Sequence, residues 1–267
     1  HSPISLPRLT ADEMKVIDYE VMKHAYAAHR ALGRLCDESI YHTDLAERLA
    51  AAGLGPIHRE FPLTVSFRGF SHSYFVDLVV ANRAIYELKT HTSLTPAHDA
   101  QLLNYLLLAN AARGKLINFR PSSVDSRFVN APLDAPGRHR FAVHRDCDNP
   151  FISLVIDLLS DWGTGLETAL YLRAFIDLLG GEASVARQLP MFRADVPLGN
   201  QRFLLAAPDT AFIVTSLGSV ESSHCHHLRR LLDPSPISRL FWVNIALHDL
   251  TITTIHRSTS LKSIPTS

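Results

Sequence analysis

Apolar residues recur at helical spacing at Met14, Ile17, Val21 and Ala25, which predicts a helix from Thr10 to about Leu32. Thr10 reads as its N-cap, with Glu13 three residues on as the reciprocal partner. His1 to Arg8 reads as a tail, and Gly33 breaks the helix. A second helix follows from about Asp37 to Ala52, carrying Ile40, Leu45 and Leu49. The period then falls to two. Strands are expected at about His58–Phe67, Ser73–Val80 and Ala84–Lys89, with turns at Arg68-Gly69 and Ala81-Asn82-Arg83. Pro96 opens a helix to about Ala112, Gly114 ends it, and Lys115–Phe119 reads as a short buried strand with a further one at Arg127–Val129. Residues 131–149, with Pro132 and Pro136-Gly137, read as a linker.

The second half repeats this order. Phe151–Ser160 is a helix, and Gly165 to Tyr171 opens another with Glu167 in the place of Glu38. Gln188-Leu-Pro190 follows Glu60-Phe-Pro62 by 128 residues, His224 follows His98 by 126, and Asn244 follows Asn118 by 126. Small deletions in one α/β unit account for the drift, so the expectation is a tandem duplication: residues 10–130, a linker over 131–149, and a second copy over 150–257, together a pseudo-dimer. Chance likeness of two α/β domains is the alternative. At an offset of 128, Asp77 falls on Leu205, Glu87 on Thr215 and Lys89 on Leu217; at 126, Gln101 falls on His227. The second copy therefore lacks the first one's charged residues.

Those residues carry the chemistry. Asp77 ends one apolar run, and Glu87 and Lys89 end the next. Side chains two apart on a strand share a face. Two carboxylates and an ammonium at one sheet edge suit a divalent metal and a phosphate, because magnesium takes one or two carboxylates and fills its shell with water and phosphate oxygen. The plainer alternative is a solvated edge strand on which Glu87 and Lys89 cross-pair.

An Asp, then Glu-x-Lys on the next strand, then a helix bearing Gln resembles the signature of the PD-(D/E)xK nuclease superfamily. Gly33…Glu38-Ser-Ile-Tyr41, the Glu60–Gly69 run, Gln101-x-x-x-Tyr105 and Ile117-Asn118-Phe119 resemble the bacterial GxxExxY family within it, over roughly residues 15–130. The resemblance implies an α/β, restriction-endonuclease-like mixed sheet flanked by helices. It further implies Asp77 and Glu87 as ligands of Mg²⁺ or Mn²⁺, with Lys89, Gln101 and Glu38 as catalytic partners. Glu38 alternatively serves the helix dipole, Tyr105 the core, and Asn118 a strand-end turn.

Composition narrows the reading. Apolar residues are 46% and charged residues 19%, enough for a large core, and the formal net charge is zero, which counts against tight non-specific DNA binding. Cys36, Cys147 and Cys225 have neither disulfide nor zinc spacing, which points to a reducing, intracellular and cytoplasmic setting. No apolar run approaches a membrane span. The His224-Cys225-His226-His227 cluster cannot turn all four side chains to one side of a helix, and Cys147 with His144 and Asp146 lies in the expected linker. Serine-nucleophile, phosphate-loop and dinucleotide motifs are absent.

The expected function is metal-dependent phosphodiester hydrolysis on nucleic acid, DNA before RNA, from one cutting centre and hence by nicking. The alternative is a non-catalytic scaffold of nuclease-like fold that binds nucleic acid or protein. The second copy offers a surface for a protein partner or a homodimer.

Overall fold

The computed structural model describes residues 6–219 and 222–258. The chain divides into two compact units, residues 1–137 and 138–267. Both have a mixed α/β architecture consistent with a nuclease-like fold.

The first unit begins with α1 (Ala11–Leu32), whose N-terminus carries the expected capping box: the Glu13 N–H donates to Thr10 Oγ1, and the Thr10 N–H donates to a Glu13 carboxylate oxygen at 2.8 Å. Then follow α2 (Glu38–Ala51), β1 (Ile57–Phe67), β2 (Phe70–Val80), β3 (Ala84–Lys89), α3 (Pro96–Leu108), β4 (Arg113–Asn118) and β5 (Asp125–Asn130). The strands lie in sequence order. Only β3 and β4 run parallel, which requires the crossover that α3 provides. Met14, Val21, Tyr41, Leu45 and Leu49 of α1 and α2 cover one face over Leu78, Tyr86, Leu88 and Phe119. Leu102, Tyr105 and Leu106 of α3 cover the other over Val76, Val79, Ile85 and Leu116.

Three boundaries depart from the sequence expectation. The β1–β2 hairpin zips three residues further, to Phe67–Phe70, because Arg68 accepts φ +51° at the turn. Helix α3 stops at Leu108 rather than Ala112: Asn110 turns left-handed at φ +52°, and the Ala111 N–H donates to the Leu106 carbonyl at 2.8 Å. Gly114 is inside β4 rather than ending a helix, where a Cβ would stand 3.0 Å from the Ile85 carbonyl and 3.1 Å from Leu106. Of the expected tail, residues 1–5 lie outside the described residues, while Leu6 is buried in one core, as is Leu9 just after the tail in the other. The Ala81-Asn82 turn is as expected, with φ +55° and +54°, the pair of left-handed residues a tight hairpin needs.

The second unit contains β6 (Ala142–Arg145), preceded at the boundary by the short α4 (Ala135–Arg138). Then come α5 (Pro150–Trp162), α6 (Thr168–Leu178), α7 (Glu182–Val185), β7 (Ala186–Arg193), β8 (Val196–Ala207), β9 (Thr210–Thr215), α8 (Ser222–Leu232), β10 (Arg239–Ile245) and β11 (Asp249–His256). Residues 131–149 are therefore not a bare linker. Val143 pairs with Leu250, so β6 adds a parallel strand that occupies the backbone donors and acceptors of β11. From β7 to β11, strand order and pairing senses are those of β1 to β5, including the single parallel pair, here β9 with β10.

Strand pairing also fixes which positions correspond. Leu78 faces Tyr86 and Leu204 faces Phe212, while Lys89 faces Asn118 and Thr215 faces Asn244. The offset on the central strands is thus 126, not 128. Asp77, Glu87 and Lys89 correspond to Phe203, Ile213 and Thr215, correcting the sequence-derived pairing with Leu205, Thr215 and Leu217. No helix among the described residues is long and apolar enough to cross a membrane.

Candidate active site

The site draws on four elements of the first unit, α2, β2, β3 and α3. Strand β3 is hydrogen-bonded to β2 and β4 and buried along its whole length, so Glu87 and Lys89 are not on an edge strand. Glu87 is 1% exposed and Lys89 7%. A charge pair this deep is costly to desolvate unless its hydrogen-bonding capacity is met. Here a specific network meets it at one carboxylate oxygen of Glu87 and leaves the other without a hydrogen bond.

Glu87 Oε1 accepts from Lys89 Nζ at 2.8 Å and from Gln101 Nε2 at 3.0 Å. Gln101 also donates to the Tyr105 hydroxyl at 3.0 Å, one helical turn along α3, so its amide spends its protons on holding the site. Asp77 reaches across from β2: one of its oxygens accepts the Leu88 N–H at 2.7 Å and lies 3.9 Å from Lys89 Nζ. Glu87 Oε2 is buried and makes no hydrogen bond. Burial first, and then the neighbouring Asp77 charge, push the Glu87 carboxyl up from 4.5 to about 8 against the pull of Lys89. Burial draws the Lys89 ammonium down, but Glu87, Asp77 and Glu38 outweigh it and hold Lys89 above its ordinary value.

Glu38 is the first residue of α2. One oxygen of Glu38, one nitrogen of His42 and one oxygen of Asp77 all lie within 4.8 Å of one another. His42 Nε2 is buried, makes no hydrogen bond, and stands 3.4 Å from an Asp77 oxygen, an ion-pair distance. Four of the five residues expected from sequence, Asp77, Glu87, Lys89 and Gln101, are thus in one network, and Glu38 adjoins it through Asp77. His42 went unnoticed. The signal was its place four residues after Glu38, which sets both on one face of α2.

These donors fit a divalent cation. Two carboxylate oxygens and an imidazole nitrogen converge, and two buried polar atoms, Glu87 Oε2 and His42 Nε2, are without a hydrogen-bond partner beside them.

Two other residues resolve as structural. Asn118 bridges the end of β3: its side-chain oxygen accepts the His91 N–H at 3.1 Å and its amide donates to the His91 carbonyl at 2.7 Å. Asn244 does the same for Leu217, at 2.8 and 3.0 Å. The Tyr41 hydroxyl donates to the Gly33 carbonyl at 2.7 Å while its ring stacks on Phe119, so the Gly…Tyr part of the helical motif is a helix-end clasp. Tyr171 clasps Gly163 likewise at 2.6 Å, which makes Thr168 and Leu172 the counterparts of Glu38 and His42. Glu167, paired with Glu38 from sequence, is one residue off, at the N-cap of α6.

The corresponding face of the second unit is apolar. Phe203, Ile213 and Trp242 pack with Leu228 and Leu231 of α8, and the Trp242 indole N–H donates to Thr215 Oγ1. A cavity of about 180 Å³ remains among Ile213, Thr215, Leu217, His224, His227, Leu228 and Trp242. Among the described residues, His224–His227 form no metal-holding group, and His224 lies against the Trp242 ring. Cys147 Sγ sits 3.2 Å from Thr254 Oγ1, next to β6 rather than in a free linker.

Residues 15–129 match the family model of the PD-(D/E)XK nuclease superfamily. No curated protein matches. Among solved structures, one described as "Crystal structure of SSO0001" is similar at 22% identity over 47% of this chain and 61% of that chain, with a TM-score of 0.30. The matched segment spans the whole of the network above, so over these residues the chain is similar to the PD-(D/E)XK nuclease superfamily.

Proposed function

We propose that the first unit hydrolyses phosphodiester bonds of nucleic acid, DNA in preference to RNA, as a GxxExxY-type enzyme that depends on Mg²⁺ or Mn²⁺. The observation that carries this reading is the buried pair Glu87 and Lys89 beside the half-buried Asp77 on internal strands, with Glu87 Oε2 left free of hydrogen bonds. A protein that did not use these groups would gain stability by replacing them with apolar residues.

Asp77 and Glu87 would hold the cation, with Glu38 assisting. A divalent ion there supplies a water of lowered pKa and neutralises phosphate charge. Lys89, its ammonium kept protonated by Glu87 and Asp77, stabilises negative charge developing on the phosphate oxygen and orients the attacking water. Gln101 is a positioning residue: it donates to Glu87 Oε1, while Oε2 stays free of hydrogen bonds. Residues 150–257 are proposed to be a degenerate second copy without a centre of its own. With one centre per chain the product is a nick, and the second copy serves substrate binding, a protein partner or dimerisation. Three free cysteines suit an intracellular setting.

Labelled single-stranded DNA, duplex DNA and RNA are incubated with Mg²⁺, Mn²⁺ or EDTA, using wild type and Lys89→Ala. Cutting that needs the ion and falls about 10²–10³-fold in the variant supports the assignment. Cutting by Lys89→Ala at the wild-type rate removes it.

A further inference from the structure

Resting on the nuclease reading, we propose that His42 is a direct ligand of the cation, alongside Glu38 and Asp77, and that its nitrogen makes the centre prefer Mn²⁺ to Mg²⁺.

The geometry is specific. His42 Nε2 is buried, forms no hydrogen bond and lies 3.4 Å from an Asp77 oxygen. Donors bound about 2.1 Å from a common ion stand about 3 Å apart when adjacent, so this pair needs only a small movement to share one. Glu38 supplies the third donor from the same helical face, one turn before His42. A buried imidazole nitrogen that makes no hydrogen bond and stands close to two carboxylates is placed to share a cation with them. Coordination satisfies Glu38, His42 and Asp77 at once.

The ligand chemistry then sets the metal. Mg²⁺ binds oxygen almost exclusively and gives up its waters reluctantly, whereas Mn²⁺ accepts carboxylate and imidazole together. The counterparts in the second unit, Thr168, Leu172 and Phe203, offer no such set, so one ion is expected per chain.

The full-length protein, freed of metal by chelation, is titrated with Mn²⁺ followed by electron paramagnetic resonance, alone and in competition with Mg²⁺. The inference expects one Mn²⁺ per chain, bound about tenfold or more tighter than Mg²⁺. It also expects pulsed spectra carrying the ¹⁴N coupling of one imidazole. In His42→Ala the coupling disappears and Mn²⁺ affinity falls about tenfold or more, while His42→Glu, with oxygen ligands only, moves the preference toward Mg²⁺. Bound Mn²⁺ without ¹⁴N coupling in the wild type overturns the inference, and that spectrum decides even if a variant misfolds. Unchanged Mn²⁺ binding by folded His42→Ala, or no ion bound by wild type, overturns it too. The nuclease reading is judged separately by the Lys89→Ala cleavage assay, so either can fail alone.

Discussion

The two units share a backbone plan and differ in what they place on its central strands. Where the first has Asp77, Glu87, Lys89 and Leu116, the second has Phe203, Ile213, Thr215 and Trp242. The groups present in both are those that hold the scaffold: the tyrosine–glycine clasp and the asparagine bridge. Burying charge costs several kcal/mol per ion even after relaxation. The first unit bears that cost and leaves Glu87 with a raised pKa and an unpaired oxygen. The second has apolar side chains on the corresponding face. The two units thus differ at the charged positions and agree at the clasps.

The sharpest way to break this comparison is to remove the shared ligand. Asp77→Ala should lower cleavage about 10³-fold, several kcal/mol of transition-state stabilisation, with melting temperature little changed. Next in size is the reverse experiment. Ile213→Glu puts a carboxylate into the apolar face without a lysine or glutamine to meet it, and chemical denaturation should show the second unit losing about 3–5 kcal/mol; little loss would mean that face is not sealed.

Gln101→Ala frees Glu87 of one of its two donors without touching the ligand oxygens. A drop of about 10–100-fold in cleavage is expected, the usual size for a residue that orients a ligand. Metal affinity should weaken with it.

The smallest expected effect is one of pH. Glu87 titrates near 8 in the folded, metal-free protein and at its ordinary 4.5 when unfolded. Between those values the folded state holds the extra proton. The stabilising effect is therefore complete below 4.5 and lost as pH rises through about 8. Metal-free Glu87→Gln should be flatter across that window and melt about 4 °C or more above wild type past pH 8. Binding of a divalent ion should release a proton from wild type and none from the variant.

Much of this was legible in the sequence because it rests on local rules. Period-two patterning gave β1 to β3, the Thr10–Glu13 pair gave the start of α1, and Glu-x-Lys after an apolar Asp gave the polar network. What was not legible depends on tertiary register. Asp77 matches Phe203 only because of strand pairing, and a two-residue slip in the reading moved the match to Leu205. Strand β6 was hidden in a polar, proline-bearing stretch, since an added edge strand with four exposed residues leaves no apolar alternation. His42 was visible as a helical neighbour of Glu38, but its approach to Asp77 depends on how α2 lies on the sheet. The edge-strand alternative failed because β3 lies between β2 and β4 in the sheet and is buried along its length.

The most direct test of a single centre in the first unit is cleavage of supercoiled plasmid by the full chain with Mn²⁺, wild type beside Asp77→Asn. The account predicts nicked circles from wild type and no product from the variant. Residual cutting by Asp77→Asn, or linear product appearing without a nicked intermediate at low protein, would contradict it.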